Sequence, residues 1–167
     1  MNEGSRDNVR ADRRRTKFLT VVDDTPESRV ALRFAASRAA KVGGGVAVLR
    51  VIQADGDNQQ WLAVAEAMRD EARDEAERML HDLAAQVKER TGLVPEMIIR
   101  EGSLRTELVR LIAEDPDVRI LVLAAAPGPD GPGPLVTALA GQMPADFRIP
   151  VTVVPGKLTE EEIEDLT

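Results

Sequence analysis

Asp23 and Asp24, followed by Thr25 and Pro26, and a loop carrying Gly128, Gly131 and Gly133 are the places in this 167-residue chain where residue type and spacing could support chemistry. The two carboxylates follow an apolar run and are placed to cap a turn and the helix after it. Backbone N–H groups of a glycine-rich loop can surround an anion such as a phosphate. Here Pro127, Pro129, Pro132 and Pro134 are interleaved with the glycines. Each lacks an N–H and removes a donor from that ring. His81 is the sole histidine and there is no cysteine, so spacing offers no metal site, and His81 is expected on the surface. Neither a Gly-x-Ser-x-Gly elbow nor a Gly-Lys-Ser/Thr phosphate loop is present, and any triad would have to pass through His81. The expectation is a protein that is not an enzyme.

The elements that must position these residues are legible from periodicity. Phe18 to Val22 is an apolar run ending at Asp23; Thr25 stands where a helix cap is needed and Pro26 at the first helical position. The helix would bury Val30, Phe34 and Ala35 and stop at Gly43-Gly44-Gly45, before a second strand from Val46 to Ile52. From Trp61 to Arg90, Ala65, Met68, Ala72, Ala76, Met79, Leu83 and Val87 recur at steps of three and four, the stripe of one long helix. Trp61 itself is expected to pack, or to mark an interface if its ring is exposed. Met97 to Ile99 reads as a third strand. Ser103 opens a helix through Leu104, Leu108, Leu111 and Ile112, and Ile120 to Leu123 is a fourth strand. Leu135 to Leu139 fits a short helix that Gly141 would end, and Pro150 to Val154 a fifth strand, with Pro150 at its start or on an edge. Alternating strands and helices imply an α/β fold: a doubly wound, five-stranded parallel sheet with helices on both faces and a ligand crevice at the carboxyl ends of the strands. Two loops then matter, Asp23 to Pro26 and Ala124 to Pro134.

Composition narrows the function classes. With three Phe, one Trp and no Tyr, the core must be aliphatic, and little is available to stack on bases. A net charge of −7 opposes bulk affinity for nucleic acid, which depends on neutralising phosphates. No long apolar run or leader pattern is present, so no membrane partner is expected and the cytoplasm is the simplest location. Residues 1–16 carry five arginines among polar and acidic neighbours and read as a flexible basic arm. Residues 17–155 form the domain. Residues 156–167 are an acidic tail in which Ile163 and Leu166 are spaced for a short helix that either docks or frays.

The element order, the long second helix and the phrases Val22-Asp23-Asp24-Thr25, Val48-Leu49-Arg50-Val51 and Arg100-Glu101-Gly102-Ser103 together resemble the universal stress proteins over residues 17–155. The resemblance implies an adenine nucleotide alpha hydrolase-like fold. It also implies contact with the nucleoside part of a ligand through Asp23 and the backbone at Val22 and Val51. Nucleotide-binding members carry Gly, two residues, Gly, nine residues, then Gly with Ser or Thr. Gly128, Gly131 and Gly141 stand at that spacing, with Gln142 in place of the hydroxyl. Counting from the strand ends instead puts Ala124, Pro127, Thr137 and Ala138 at those positions.

Three readings follow. One is a non-enzymatic stress-response protein with an unknown protein partner, working as a homodimer; by the resemblance, the dimer forms through the edge strand Val151–Val154. Another is a sensor whose Asp23 and Gly128 to Gly133 loop hold ATP, with magnesium following the phosphates and slow hydrolysis as a variant. A distant one is a phosphorelay receiver, suggested by Val21-Val22-Asp23-Asp24 and Arg29. For that reading, however, no Asp ends the third or fourth strand and no Lys closes the fifth.

Overall fold

The computed structural model describes residues 16–53, 62–140 and 147–167. The arm up to residue 15, Trp61 as the first residue of the long helix, and Gly141 as the end of the short one lie outside the described residues. The elements run β1 (Lys17–Val21), α1 (Pro26–Val42), β2 (Gly45–Ile52), α2 (Leu62–Thr91), β3 (Glu96–Glu101), α3 (Leu104–Glu114), β4 (Val118–Ala125), α4 (Pro134–Ala140), β5 (Val151–Pro155) and α5 (Glu160–Leu166). All five strands pair in parallel in the order β3-β2-β1-β4-β5. The chain therefore winds one way through β1, β2 and β3, then returns to the other side of β1. This reversal is the doubly wound topology the sequence implied.

Alternation along the strands divides the core into two layers. Phe18, Val22, Val46, Val48, Val122 and Val154 face α1, α2 and α5. Leu19, Val21, Ala47, Leu49, Leu121 and Leu123 face α3 and α4. Both faces are covered, so the central strands are mostly apolar instead of alternating with polar residues, the fully buried Thr20 of β1 being an exception. Helix α1 meets the sheet through Ala31, Ala35, Ala36 and Ala39, all buried, whose small side chains let the helix approach closely. It ends at Gly43, at φ 70°, a left-handed conformation suited to glycine, and Gly44 then donates its N–H to Ala39 O at 2.8 Å. Pro150 immediately precedes β5, and its carbonyl accepts the Leu121 N–H at 3.0 Å, so its missing donor costs the ladder nothing.

One expectation needs correction. The apolar stripe of α2 does not face the sheet along its whole length: Met68 is 59% exposed and Val64 52%, and burial begins at Ala76 and continues through Leu80, Leu83 and Val87. A helix of 30 residues is about 45 Å long at 1.5 Å per residue, longer than the strands beneath it, so its first turns overrun the sheet. Of the two outcomes open for the tail, docking is the one observed. Thr159 and Glu162 form a capping box at the start of α5, and Ile163 is buried against α1 and α2.

At the amino edge of the sheet the Lys17 ammonium bridges Glu96 (2.6 Å) and Asp115, the cap residue that ends α3. Burial would push the Asp115 carboxyl up, but the Lys17 hydrogen bond and the Asp117 N–H outweigh it and hold it below the usual carboxylate range. Burial likewise opposes the Lys17 charge, and its hydrogen bonds to Asp115 and Glu96 outweigh that and raise it. A depressed carboxylate stabilises above its unfolded pKa and loses that contribution as pH falls through the folded value; the raised lysine stabilises below its unfolded pKa and loses it at high pH. Asp115→Asn should therefore cost about 1 kcal/mol near neutral pH, and the deficit should shrink below about pH 4, as read by urea unfolding across that range.

Candidate functional site

The reversal of winding places a crevice beyond the carboxyl ends of β1 and β4. The two loops singled out from sequence, Asp23 to Pro26 and Ala124 to Pro134, are the ones that flank it; in the structure the connections are residues 22–25 and 126–133. The Val22 N–H donates to Leu49 O at 2.9 Å, extending the β1–β2 ladder one residue past the strand and setting Asp23 at the mouth. There the Asp23 carboxylate accepts the Thr25 N–H at 2.9 Å and also the Thr25 hydroxyl. The turn is closed by the aspartate, and Thr25 occupies the cap position of α1 without its side chain capping the helix. The hydroxyl expected to serve the helix is spent on Asp23. Ser28, 1% exposed, ties the turn from below: it accepts the Asp23 N–H at 3.3 Å and lies 2.9 Å from Thr25 O, to which it can donate.

Two further side chains shape the mouth. Arg50, the charged residue inside the apolar run of β2, donates to both carboxylate oxygens of Asp24 at 3.1 and 3.3 Å and reaches Val22 O at 3.5 Å. It thus bridges the ends of β1 and β2, beside Val22 and Val51. Glu27, in the first turn of α1, is 7% exposed. A Cβ on Gly133 would lie 3.0 Å from its Oε1, and one on Gly156 would lie 2.8 Å from its Cβ and 2.3 Å from Ala125 O. Glycine is thus required at 156 by close approach, and a carboxylate stands against the end of the glycine loop. Sequence reasoning did not single out Glu27, Ser28 or Arg50. The available signals were an acid at helical spacing from Ala31 and a cation interrupting a strand.

The loop itself is only partly suited to an anion. The Ala126 N–H, the first donor after β4, is taken by Pro132 O at 2.9 Å. Gly128 and Gly131 have φ of 137° and 103°, conformations side chains rarely adopt, yet a Cβ at either would meet nothing within 4 Å. They shape an open loop, while Gly133 is the one drawn against α1. With four prolines in the loop and Glu27 beside Gly133, this segment does not fit a triphosphate as closely as the glycine spacing suggested. Among the described residues no three histidine, aspartate or glutamate side chains gather to hold a metal ion. His81 is exposed on α2, as expected.

A sequence profile of the universal stress protein family matches residues 14–155. The chain belongs to this family. Solved universal stress protein structures repeat its fold. UspA from Lactobacillus plantarum superposes with a TM-score of 0.68 at 16% identity, over 83% of this chain and 97% of the other. A universal stress protein family member from Burkholderia pseudomallei gives 0.65 at 19% identity, over 86% and 98%. A family protein from Arabidopsis thaliana, solved with AMP bound, gives 0.57 at 14% identity, over 84% and 91%. No curated protein sequence matches the chain significantly. The five-stranded parallel sheet is thus a universal stress protein sheet. Among the described residues no helix is long and apolar enough to cross a membrane.

Ser28→Ala would leave the part-buried Asp23 N–H without its acceptor and loosen the turn at the mouth. The expected loss is about 1–2 kcal/mol in thermal or urea unfolding, more than a neutral surface substitution would give.

Proposed function

We propose that the chain is a non-enzymatic, regulatory universal stress protein that works as a homodimer, two copies meeting along the edge strand Val151–Val154. The observation that carries this reading is the state of β5. It is the last strand of the sheet, its outer edge is open among the described residues, and Val153 on it is 49% exposed. An open apolar edge favours pairing with another strand, and a two-fold axis lets identical edges cover each other. The non-enzymatic part is supported by Asp23, the acid best placed in the crevice, whose carboxylate is engaged in holding its own turn. Val153→Asp places a charge at the centre of the proposed interface while leaving Val154, the buried residue of the strand, in place. Sedimentation velocity should show at least a roughly tenfold weaker dimer; an undiminished dimer would put the interface elsewhere.

A second reading has its own support. The Asp23 turn and the Gly133 end of the loop both lie at the switch point of the sheet, where doubly wound folds take ligands, and the Arabidopsis relative holds AMP. On this reading the crevice binds an adenine mononucleotide, with Asp23 and the Val22 and Val51 backbone at the nucleoside. A triphosphate is disfavoured, because its outer phosphates would approach Glu27. Calorimetry of nucleotide-free protein should then give AMP a heat of binding that Asp23→Ala removes, and a weaker one for ATP with magnesium. Binding that survives Asp23→Ala would mean the site is misplaced, and no heat for either nucleotide would leave the first reading alone.

A further inference from the structure

A second cavity, of about 220 Å³, lies between α1, α2 and the docked α5. Its floor is apolar: Leu32 and Ala36 from α1, Leu83 and Val87 from α2 and Ile163 from α5, all buried. Its rim is cationic, with Arg29 and Arg33 one turn apart on α1 and Arg90 at the end of α2. The counter-charge is scarce. Two acids line the cavity with the three arginines, and both are engaged: Glu160 is shared, 2.6 Å from Arg90 and 3.8 Å from Arg33, and Glu164 is 3.3 Å from Lys41 and accepts from the Ser37 hydroxyl at 3.2 Å. Arg29 is left without an acidic partner among the described residues. In a chain of net charge −7, three guanidinium groups around an apolar hollow are a local reversal of the overall field.

We propose that this cavity is a binding site for a small amphipathic carboxylate, a single aliphatic chain with one acid group. The chain lies along Leu32, Leu83, Val87 and Ile163, and the carboxylate is held by Arg29 and Arg33, displacing the looser of the two Glu160 contacts. Size and chemistry both select this class. The volume falls below the roughly 300 Å³ at which pockets begin to take drug-sized ligands, and α5 already occupies the part of the groove that a partner helix would need. Ser37, Gln86 and Thr91 also line the cavity, but its buried floor suits an aliphatic chain and the guanidinium fork matches a carboxylate. The site stands apart from the nucleotide crevice and rests on neither functional reading above.

The test is a methyl-resolved NMR titration of the full chain with octanoate, and in parallel with octanol as its uncharged counterpart. Octanoate should shift the Leu32, Leu83, Val87 and Ile163 methyl signals with saturation, and bind at least about tenfold more tightly than octanol, the difference expected of one charge-assisted hydrogen-bonded pair. Arg29 is exposed on the helix, so Arg29→Gln should leave the melting temperature unchanged. That variant should weaken octanoate about fivefold, with octanol affected less than about twofold. Absence of saturable shifts, shifts confined to other methyl groups, equal binding of octanol, or indifference of octanoate to Arg29→Gln would each overturn the assignment.

Discussion

The parallel pairing of β1 with β2 on one side and β4 on the other is the constraint on which the rest of the molecule depends. A strand hydrogen-bonded on both edges and covered on both faces favours apolar residues along its length, and Phe18, Leu19, Val21 and Val22 meet that demand while Thr20 between them is buried as well. Because its two neighbours are reached by opposite windings, the connections leaving β1 and β4 diverge at their carboxyl ends. The crevice is therefore a product of topology before any particular side chain is placed in it. Lys17 secures the opposite edge, joining β1 to β3 and to the end of α3 through Glu96 and Asp115.

What fills the crevice mouth is a set of local polar knots with little free chemistry. Asp23 closes its own turn with Thr25, Ser28 satisfies the Asp23 N–H from beneath, and Arg50 locks Asp24 to the neighbouring strand end. Together these bonds tie the ends of β1 and β2 and the start of α1 to one another, which makes the mouth rigid. Rigidity suits recognition of a preformed shape. It also explains how a glycine loop can persist beside Glu27: Ala126 and Pro132 close the loop on itself, so its shape does not depend on an anion at its centre.

Charge is distributed as unevenly as apolar surface. The acidic helix α5 lies against the basic sides of α1 and α2, where Glu160 meets Arg33 and Arg90, Glu164 meets Lys41, and Arg38 donates to Thr167 O at 2.7 Å. Most of these pairs are exposed and individually weak, and the burial of Ile163 fixes where they act. The result is a second hollow whose floor is core and whose rim is cationic, on a molecule that is acidic as a whole.

The sequence by itself determined the parallel α/β sheet, its five strands, the family and the two loops that flank the crevice, because short apolar runs, period-3.6 stripes, the Thr25-Pro26 start and the Gly43 stop are local signals. It also located Asp23 at a strand end and His81 on the surface. Only tertiary structure decided how those pieces are used. The Thr25 hydroxyl serves Asp23 instead of the helix, since a carboxylate two residues away is the stronger acceptor. Met68 lies on the stripe but beyond the sheet, because periodicity reports a face and not what that face meets. The glycine spacing concealed that Gly133 abuts Glu27 from a distant helix, and the acidic tail gave no sign that Arg29, Arg33 and Arg90 would line one hollow beneath it. Gly133 and Glu27 are 106 positions apart and Arg29 and Arg90 are 61 apart, and no local pattern encodes a distance of that kind.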